Sequence, residues 1–306
     1  MADFIGRKEE LRELESLYEF KGKRTCAVYG LRRLGKTTLL SEFCKGKRSV
    51  FLMMAPGSER QNLDAIQEEM SRILGRRVEY GTFPEFLSDL ADYCHEAKTV
   101  VVIDELPFLL DSAPHVAGYL QNFIDVRMRG EETVLIVCGS SVSSMEKETT
   151  DPTRPLYNRF RFRIHLQPLS FEECCQFHPG MSDADLARMY LTFGGSPFYH
   201  EGITGATYEE VVKDAYLGRN AFLRDEARSI VLELKNSESC MAILDAISSG
   251  TTSIKGIAEY TKLNRDTCKR CLDEMEYMGL VSRLVPMCGA PKHPVYYIRN
   301  GVVRFH

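Results

Sequence analysis

The sequence has no apolar run near the ~18–20 residues that a membrane-spanning helix needs; Val100–Ile103 and Val134–Cys138 are among its longest. MADFIGRKEE is charged from its third residue and lacks the apolar stretch of a secretion signal, so none is expected. An excess of one charge is missing too. Lys and Arg total 39 against 43 Asp and Glu, a net of −4, which excludes a protein held to nucleic acid by bulk charge and leaves only a local patch for that purpose. Repeats and low-complexity tracts are absent, and 44% hydrophobic with 27% charged residues excludes a disordered chain. Tryptophan is missing, which excludes nothing. Ten cysteines without a secretion signal read as mostly reduced thiols of a cytoplasmic protein.

What is present is pattern, over a length that suits roughly two or three domains. From 1 to 169, short β-rich runs (Thr25–Tyr29, Ser49–Met54, Thr99–Ile103, Thr133–Cys138, Arg161–Leu166) alternate with helical periods such as Asn62–Leu74 and Phe83–Cys94. Nearly continuous apolar strands separated by helices are what a parallel sheet covered on both faces requires, so this stretch predicts an α/β domain. From 170 to 235 the period is helical throughout. Ser170 with Glu173 and Ser182 with Asp185 have capping spacing, and Pro179-Gly180 and Gly194-Gly195-Ser196-Pro197 break the helices; a small all-α lid is expected. From 236 to 306, three helical patterns (Met241–Ile247, Ile254–Tyr260, Asp266–Met278) precede two strand-like runs (Leu280–Val285, Val295–Arg299). That is the order of a winged helix-turn-helix.

The first strand runs directly into Gly30-Leu31-Arg32-Arg33-Leu34-Gly35-Lys36-Thr37, and Thr38-Leu39-Leu40 begins a helix. This is GxxxxGKT between strand and helix, the setting of a P-loop. Gly30 and Gly35 let the backbone curl so that successive N–H groups face a phosphate, and the helix N-terminus adds partial positive charge. Lys36 can reach the β- and γ-phosphates, and the Thr37 hydroxyl can ligate Mg²⁺. The segment Gly30–Thr38 is therefore the cofactor-binding candidate, with the Arg32 and Arg33 side chains left to brace the site or pair with carboxylates.

Val100–Ile103 ends in Asp104-Glu105. Two carboxylates closing a buried strand make poor core, because an ionised carboxylate resists burial unless paired. At the strand's C-terminal edge Asp104 would hold Mg²⁺ through water and Glu105 would polarise the attacking water; the plainer reading is a pair of solvated acids at a helix start. One strand lies between loop and acids, and Glu105 stands beside Asp104, which favours an additional-strand ATPase over a GTPase. No Asn-Lys-x-Asp guanine signature occurs, so ATP is the expected nucleotide. The next strand ends in Cys138-Gly139-Ser140-Ser141, where Ser140 first, and Ser141 second, would sense the γ-phosphate, with a simple serine turn as the alternative.

Phe4-Ile5-Gly6-Arg7-Lys8-Glu9-Glu10, Tyr29–Thr37, Ile103-Asp104-Glu105 and Gly139-Ser140-Ser141 together resemble the motif set of archaeal-type P-loop ATPases. These are related to the STAND class and more distantly to AAA+ proteins of origin recognition. Pro155-Leu156-Tyr157-Asn158-Arg159, the Leu166–Glu173 segment and Gly194–Tyr199 continue the likeness, which runs from Phe4 to about Phe305. Leu31, Leu34 and Asn158 depart from the family's frequent Arg, Val and Gly. The resemblance implies that Gly6 and Arg7 lie against adenine and ribose. It also implies that Arg159 or Arg154 is an arginine finger, in cis or from a neighbouring subunit; a salt-bridge role is equally open for each. Members of this family often continue into a restriction-nuclease-like domain. The apolar, aromatic end Val295–His306, with nothing expected to bury against, fits a truncated or shortened homologue, and no D…ExK core predicts nuclease activity here.

Near the third helical pattern of the last stretch, Lys262, Arg265, Lys269 and Arg270 form a basic cluster suited to DNA contact; a module that only packs is the other reading. Cys268 and Cys271, with Cys288 and His293 downstream, have a zinc-like spacing but fall in a helical segment, which favours core thiols, as for Cys174-Cys175. The expectation is a Mg²⁺-dependent ATPase whose nucleotide state moves the lid and the winged-helix module. The alternative is a slow or non-hydrolysing nucleotide-gated switch that binds DNA or a protein partner; a homo-oligomer is open under either reading. No membrane association is expected.

Overall fold

Strands form where the apolar runs lie. β1 (Arg24–Tyr29), β2 (Ser49–Met53), β3 (Val100–Asp104), β4 (Val134–Gly139) and β5 (Phe162–His165) pair as one parallel sheet in the order β2-β3-β4-β1-β5. The structure is a computed structural model that describes residues 4–129, 132–203, 205–219, 221–232, 234–285 and 294–306. The chain divides into two units, the first ending at Gln167 and the second starting at Pro168.

Around the sheet lie α1 (Lys8–Glu19), α2 (Lys36–Cys44), α3 (Glu59–Leu74), α4 (Phe83–Glu96), α5 (Leu106–Ser112), α6 (Val116–Asn122) and α7 (Val142–Thr150). Side chains alternate across a strand, so each face collects every second residue. Cys26, Val28, Val100, Val102, Val134, Ile136 and Cys138 face one core with Leu14 and Leu17 of α1 and Leu39, Leu40 and Phe43 of α2. Ala27, Tyr29, Val101, Ile103, Leu135 and Val137 face the other, with residues of α3 to α7. Full burial of each large side chain contributes roughly 1.5–3 kcal/mol. The alternation has a functional consequence: Asp104 continues the 100-102-104 row, which is covered by α2. α3 begins at a full capping box of Ser58 and Gln61 and ends at Gly75 in the left-handed region, φ 64°.

The second unit contains α8 (Phe171–Cys175), α9 (Asp183–Phe193), α10 (Pro197–Glu201), α11 (Tyr208–Val212), α12 (Glu226–Leu232), α13 (Ser237–Ser248), α14 (Ile254–Thr261), α15 (Arg265–Tyr277), the antiparallel pair β6 (Val281–Leu284) and β7 (Val295–Ile298), and α16 (Gly301–Phe305). Ser170 and Glu173 form the reciprocal capping box, whereas Ser182 accepts from the Asp185 amide as a simple N-cap. The segment joining β6 and β7, with Cys288 and His293, lies outside the described residues. Each half of this unit has its own apolar cluster. The chain end does find burial: α16 puts Val302 into one cluster and Val303 into the other, and the Phe305 ring sits 4.7 Å from that of Tyr216. A Cβ at Gly301 would come within 2.4 Å of the Thr192 carbonyl, so only glycine lets α16 approach α9 this closely.

Two buried histidines cross-link the helical half. His200 Nε2 donates to the Gly194 carbonyl at 2.7 Å, and in the neutral His200 ring Nδ1 is left to accept from His178 Nε2 at 2.9 Å. Burial, then the neighbouring His200, pushes His178 down to about 4; burial also lowers His200, against the opposing effect of the Gly194 carbonyl. Between the ordinary value of 6.5 and about 4 the unfolded chain binds a proton that the folded one does not. Stability is therefore complete above pH 6.5 and falls as the pH drops toward 4, by at most about 3 kcal/mol for His178. Urea unfolding at pH 7.5 and 4.5 tests this. His178→Gln, which keeps a donor, should lose part of the wild-type pH dependence, and an identical dependence in both proteins would refute the assignment.

Candidate functional site

β1 delivers the chain to the loop at Gly30. The Leu166 amide, just past β5, donates to the Tyr29 carbonyl at 2.7 Å, which presses the two backbones together. A Cβ at Gly30 would sit 2.6 Å from the Leu166 carbonyl oxygen, so glycine is required there. Arg33 and Gly35 take positive φ, 67° and 78°, and curl the loop before α2 starts at Lys36. Leu34 is buried in the core shared with α1 and α2. Arg32 and Thr38 are exposed, and Leu31, Arg33 and Thr37 are half-buried.

Lys36 is buried, and its ammonium donates to the carbonyls of Gly30 at 2.8 Å and Leu31 at 2.9 Å. Burial lowers its pKa, partly offset by Cys138, Glu105 and Asp104, while Arg32 adds to the lowering. A buried cation held by neutral carbonyls at a loop mouth is a group primed to meet an anion.

The acids lie where the strand ends converge, since β3, β4 and β1 are neighbours. Asp104 is 1% exposed. Its Oδ2 accepts from the Thr37 hydroxyl at 2.6 Å and its Oδ1 from the Glu105 amide at 3.0 Å. Glu105 has φ 55°, a left-handed conformation that strains a non-glycine residue by roughly 1–2 kcal/mol. That turn carries its carboxylate to Ser140, whose amide and hydroxyl both donate to Oε2, at 3.1 and 2.9 Å. Gly139, just before Ser140, packs against Met145 and Pro107: a Cβ there would lie 2.8 Å from side-chain atoms of both. Among the described residues no group of three or more His, Cys, Asp or Glu could hold a metal by itself. A hydroxyl beside a carboxylate is nonetheless the hard-oxygen donor set that suits Mg²⁺, which commonly takes few protein ligands and completes its shell with phosphate and water.

Other candidates fall elsewhere. Arg7 precedes α1, with φ 59°, and its Nη2 donates to the Leu34 carbonyl at 3.1 Å; Gly6 beside it has φ 73°. Arg159 is not brought to the loop. Its guanidinium pairs with Asp125 at 3.1 Å and the Tyr157 carbonyl at 2.7 Å, and its own carbonyl accepts from the Thr25 hydroxyl. Thr25 is at the start of β1 and the loop leaves the other end, roughly 13 Å away at 3.3 Å per residue. Arg154 pairs with Glu148 at 3.3 Å. In the second unit Lys262, Arg265, Lys269 and Arg270 are all exposed, the last three on α15. Cys268 and Cys271 occupy the buried side of that helix, fully enclosed. Two contacts had no sequence signal: Arg7 on Leu34, because the partner is a backbone atom, and Ser140 on Glu105, because the turn at Glu105 follows no spacing rule.

Residues 4–201 match the family described as an ATPase domain predominantly from Archaea. The chain is 23% identical over 307 residues to protein MJECL04 of Methanocaldococcus jannaschii, covering 99% of this chain and 68% of that protein. It is similar in structure to the Walker-type ATPase PABY2304 of Pyrococcus abyssi, with TM-score 0.67, 18% identity, and 99% and 95% of the two chains covered. ORC2 of Aeropyrum pernix, in its ADPNP-ADP complexes, gives TM-score 0.65 at 14% identity, covering 98% and 93%. At these identities the structural likeness shows the fold.

The loop geometry yields a stability prediction. Gly30→Ala should destabilise the protein by about 1–3 kcal/mol, because the Leu166 backbone must move. Gly46→Ala, with positive φ but open space around its Cβ, should lose only about 1–2 kcal/mol. Equal urea midpoints for Gly30→Ala and wild type would show that the contact is not tight.

Proposed function

Because the chain belongs to the family of ATPase domains found predominantly in Archaea, we propose that it binds ATP with Mg²⁺ at the junction of loop and acids and hydrolyses the γ-phosphate. The observation that carries this reading is the Thr37–Asp104 hydrogen bond, which joins the phosphate loop to the acidic strand end at 2.6 Å. The ADPNP-ADP complexes of ORC2 support an adenine nucleotide.

The loop amides and the α2 N-terminus bind the phosphates, and Lys36 exchanges its two carbonyl partners for phosphate oxygens. Thr37 and Asp104 would hold Mg²⁺, whose charge, when bound, neutralises the phosphate oxygens. Glu105 takes the proton of the attacking water, which requires its carboxylate to leave the two Ser140 donors. Ser140 then responds to the γ-phosphate, and the nucleotide state shifts the population of arrangements open to the second unit. In that unit, residues 170–235 act as a lid and 236–306 as a winged helix-turn-helix.

Lys36→Ala should abolish measurable ATP binding in calorimetry. Glu105→Gln should keep binding while turnover falls by roughly 100-fold or more. Unchanged phosphate release in both variants would end the assignment.

A second reading, a nucleotide-gated switch with slow turnover, is favoured by the double hold of Ser140 on Glu105. Its partner would be DNA, met by the exposed cations of α15. Under this reading DNA affinity falls with salt. Neutralising Lys269 and Arg270 together should reduce the slope of log affinity against log salt by about 1–2, measured by fluorescence anisotropy. A slope unchanged by the double substitution would remove those residues from any DNA contact.

A further inference from the structure

Arg7 is buried, 4% exposed, although it belongs to neither the phosphate loop nor its helix. One end of its guanidinium is held by Glu10, Nη1 to Oε1 at 2.9 Å, in the first turn of α1. The other end donates from Nη2 to the Leu34 carbonyl at 3.1 Å, in a buried hydrogen bond. The backbone is bent to make this reach. Gly6 and Arg7 are successive left-handed residues, and for arginine that conformation is unfavourable unless something holds it.

The Leu34 carbonyl is half of a peptide plane whose other half is the Gly35 amide. No described peptide bond is cis, and in a trans peptide the C=O and N–H point in opposite directions. Fixing the carbonyl toward Arg7 therefore turns the Gly35 N–H to the opposite side. The Leu34 side chain is anchored in the core of α1 and α2, whereas Gly35, at φ 78°, has no side chain to stop the intervening peptide from turning over.

We propose that Arg7 is a positioning residue for the phosphate loop, holding the Leu34 carbonyl so that the Gly35 N–H faces the bound phosphates. The proposal rests on the ATP-site reading above and refines it. It differs from a contact between Arg7 and adenine or ribose, because an orienting arginine acts on any polyphosphate, with or without a nucleoside.

That difference defines the experiment. Arg7→Asn removes the guanidinium while tolerating the left-handed backbone. Binding of ATP and of inorganic tripolyphosphate is measured by calorimetry for wild type and variant, at low salt and at about 0.5 M salt, where long-range charge effects are screened. Both affinities should fall together by roughly tenfold, the loss expected for a charge-assisted hydrogen bond, and the loss should persist at high salt. Glu10→Gln, which frees one end of the guanidinium without touching the loop, should lower both affinities in the same ratio by a smaller factor. It serves as the test if Arg7→Asn does not fold.

A fall for ATP with tripolyphosphate unchanged overturns the proposal in favour of nucleoside contact. A deficit that vanishes at high salt overturns it in favour of simple charge. Wild-type protein that binds neither ligand overturns the ATP reading itself, and the proposal with it.

Discussion

The Thr37 hydroxyl on the Asp104 carboxylate, at 2.6 Å, joins two segments 67 residues apart, and the rest of the site depends on it. A carboxylate at the end of an all-apolar strand is expensive to bury by itself. Here it accepts from Thr37 and from the Glu105 amide, so both oxygens are satisfied. The sheet makes this possible: the alternation along β3 points Asp104 to the α2 side, and β4 and β1 complete the row of strand ends. A one-residue slip of β3 would turn the carboxylate to the opposite core.

Around this bond the structure holds charges and backbone in states that have little to recommend them for folding alone. Lys36 is buried with its pKa lowered, held by two carbonyls. Glu105 has a left-handed backbone, and Gly30 lies so close to the Leu166 backbone that a side chain there would force it to move. Strain of this kind persists only where surrounding packing enforces it, and it gathers where ligands bind. The same region holds the carboxylate of Glu105 on two Ser140 donors, its amide and its hydroxyl.

The second unit follows a different logic. It has two apolar clusters, and α16, five residues long, contributes to both. The sequence read those final residues as an apolar end with nothing to bury against, because no local pattern shows that Val302 and Val303 enter separate cores. The basic side chains of α15 and its buried Cys268 and Cys271 are opposite faces of one helix, which the i, i+3 spacing already implied.

The amino-acid sequence by itself determined the five strands, the loop from Gly30 to Thr37 and the acids that close β3. Each is a local pattern: apolar runs of strand length, glycines at fixed offsets, carboxylates where a buried strand must stop. The family resemblance, not any local pattern, implies a finger at Arg159 or Arg154, in cis or from a neighbouring subunit; the folded chain puts Arg159 beside Asp125, near the start of β1. Tertiary structure alone decided that Arg7 grips the Leu34 carbonyl and that Ser140 grips Glu105. The physical reason is the same in both cases. These contacts join backbone atoms and turned peptides across long separations, and every residue carries the same backbone, so no choice of side chains announces where it will be met.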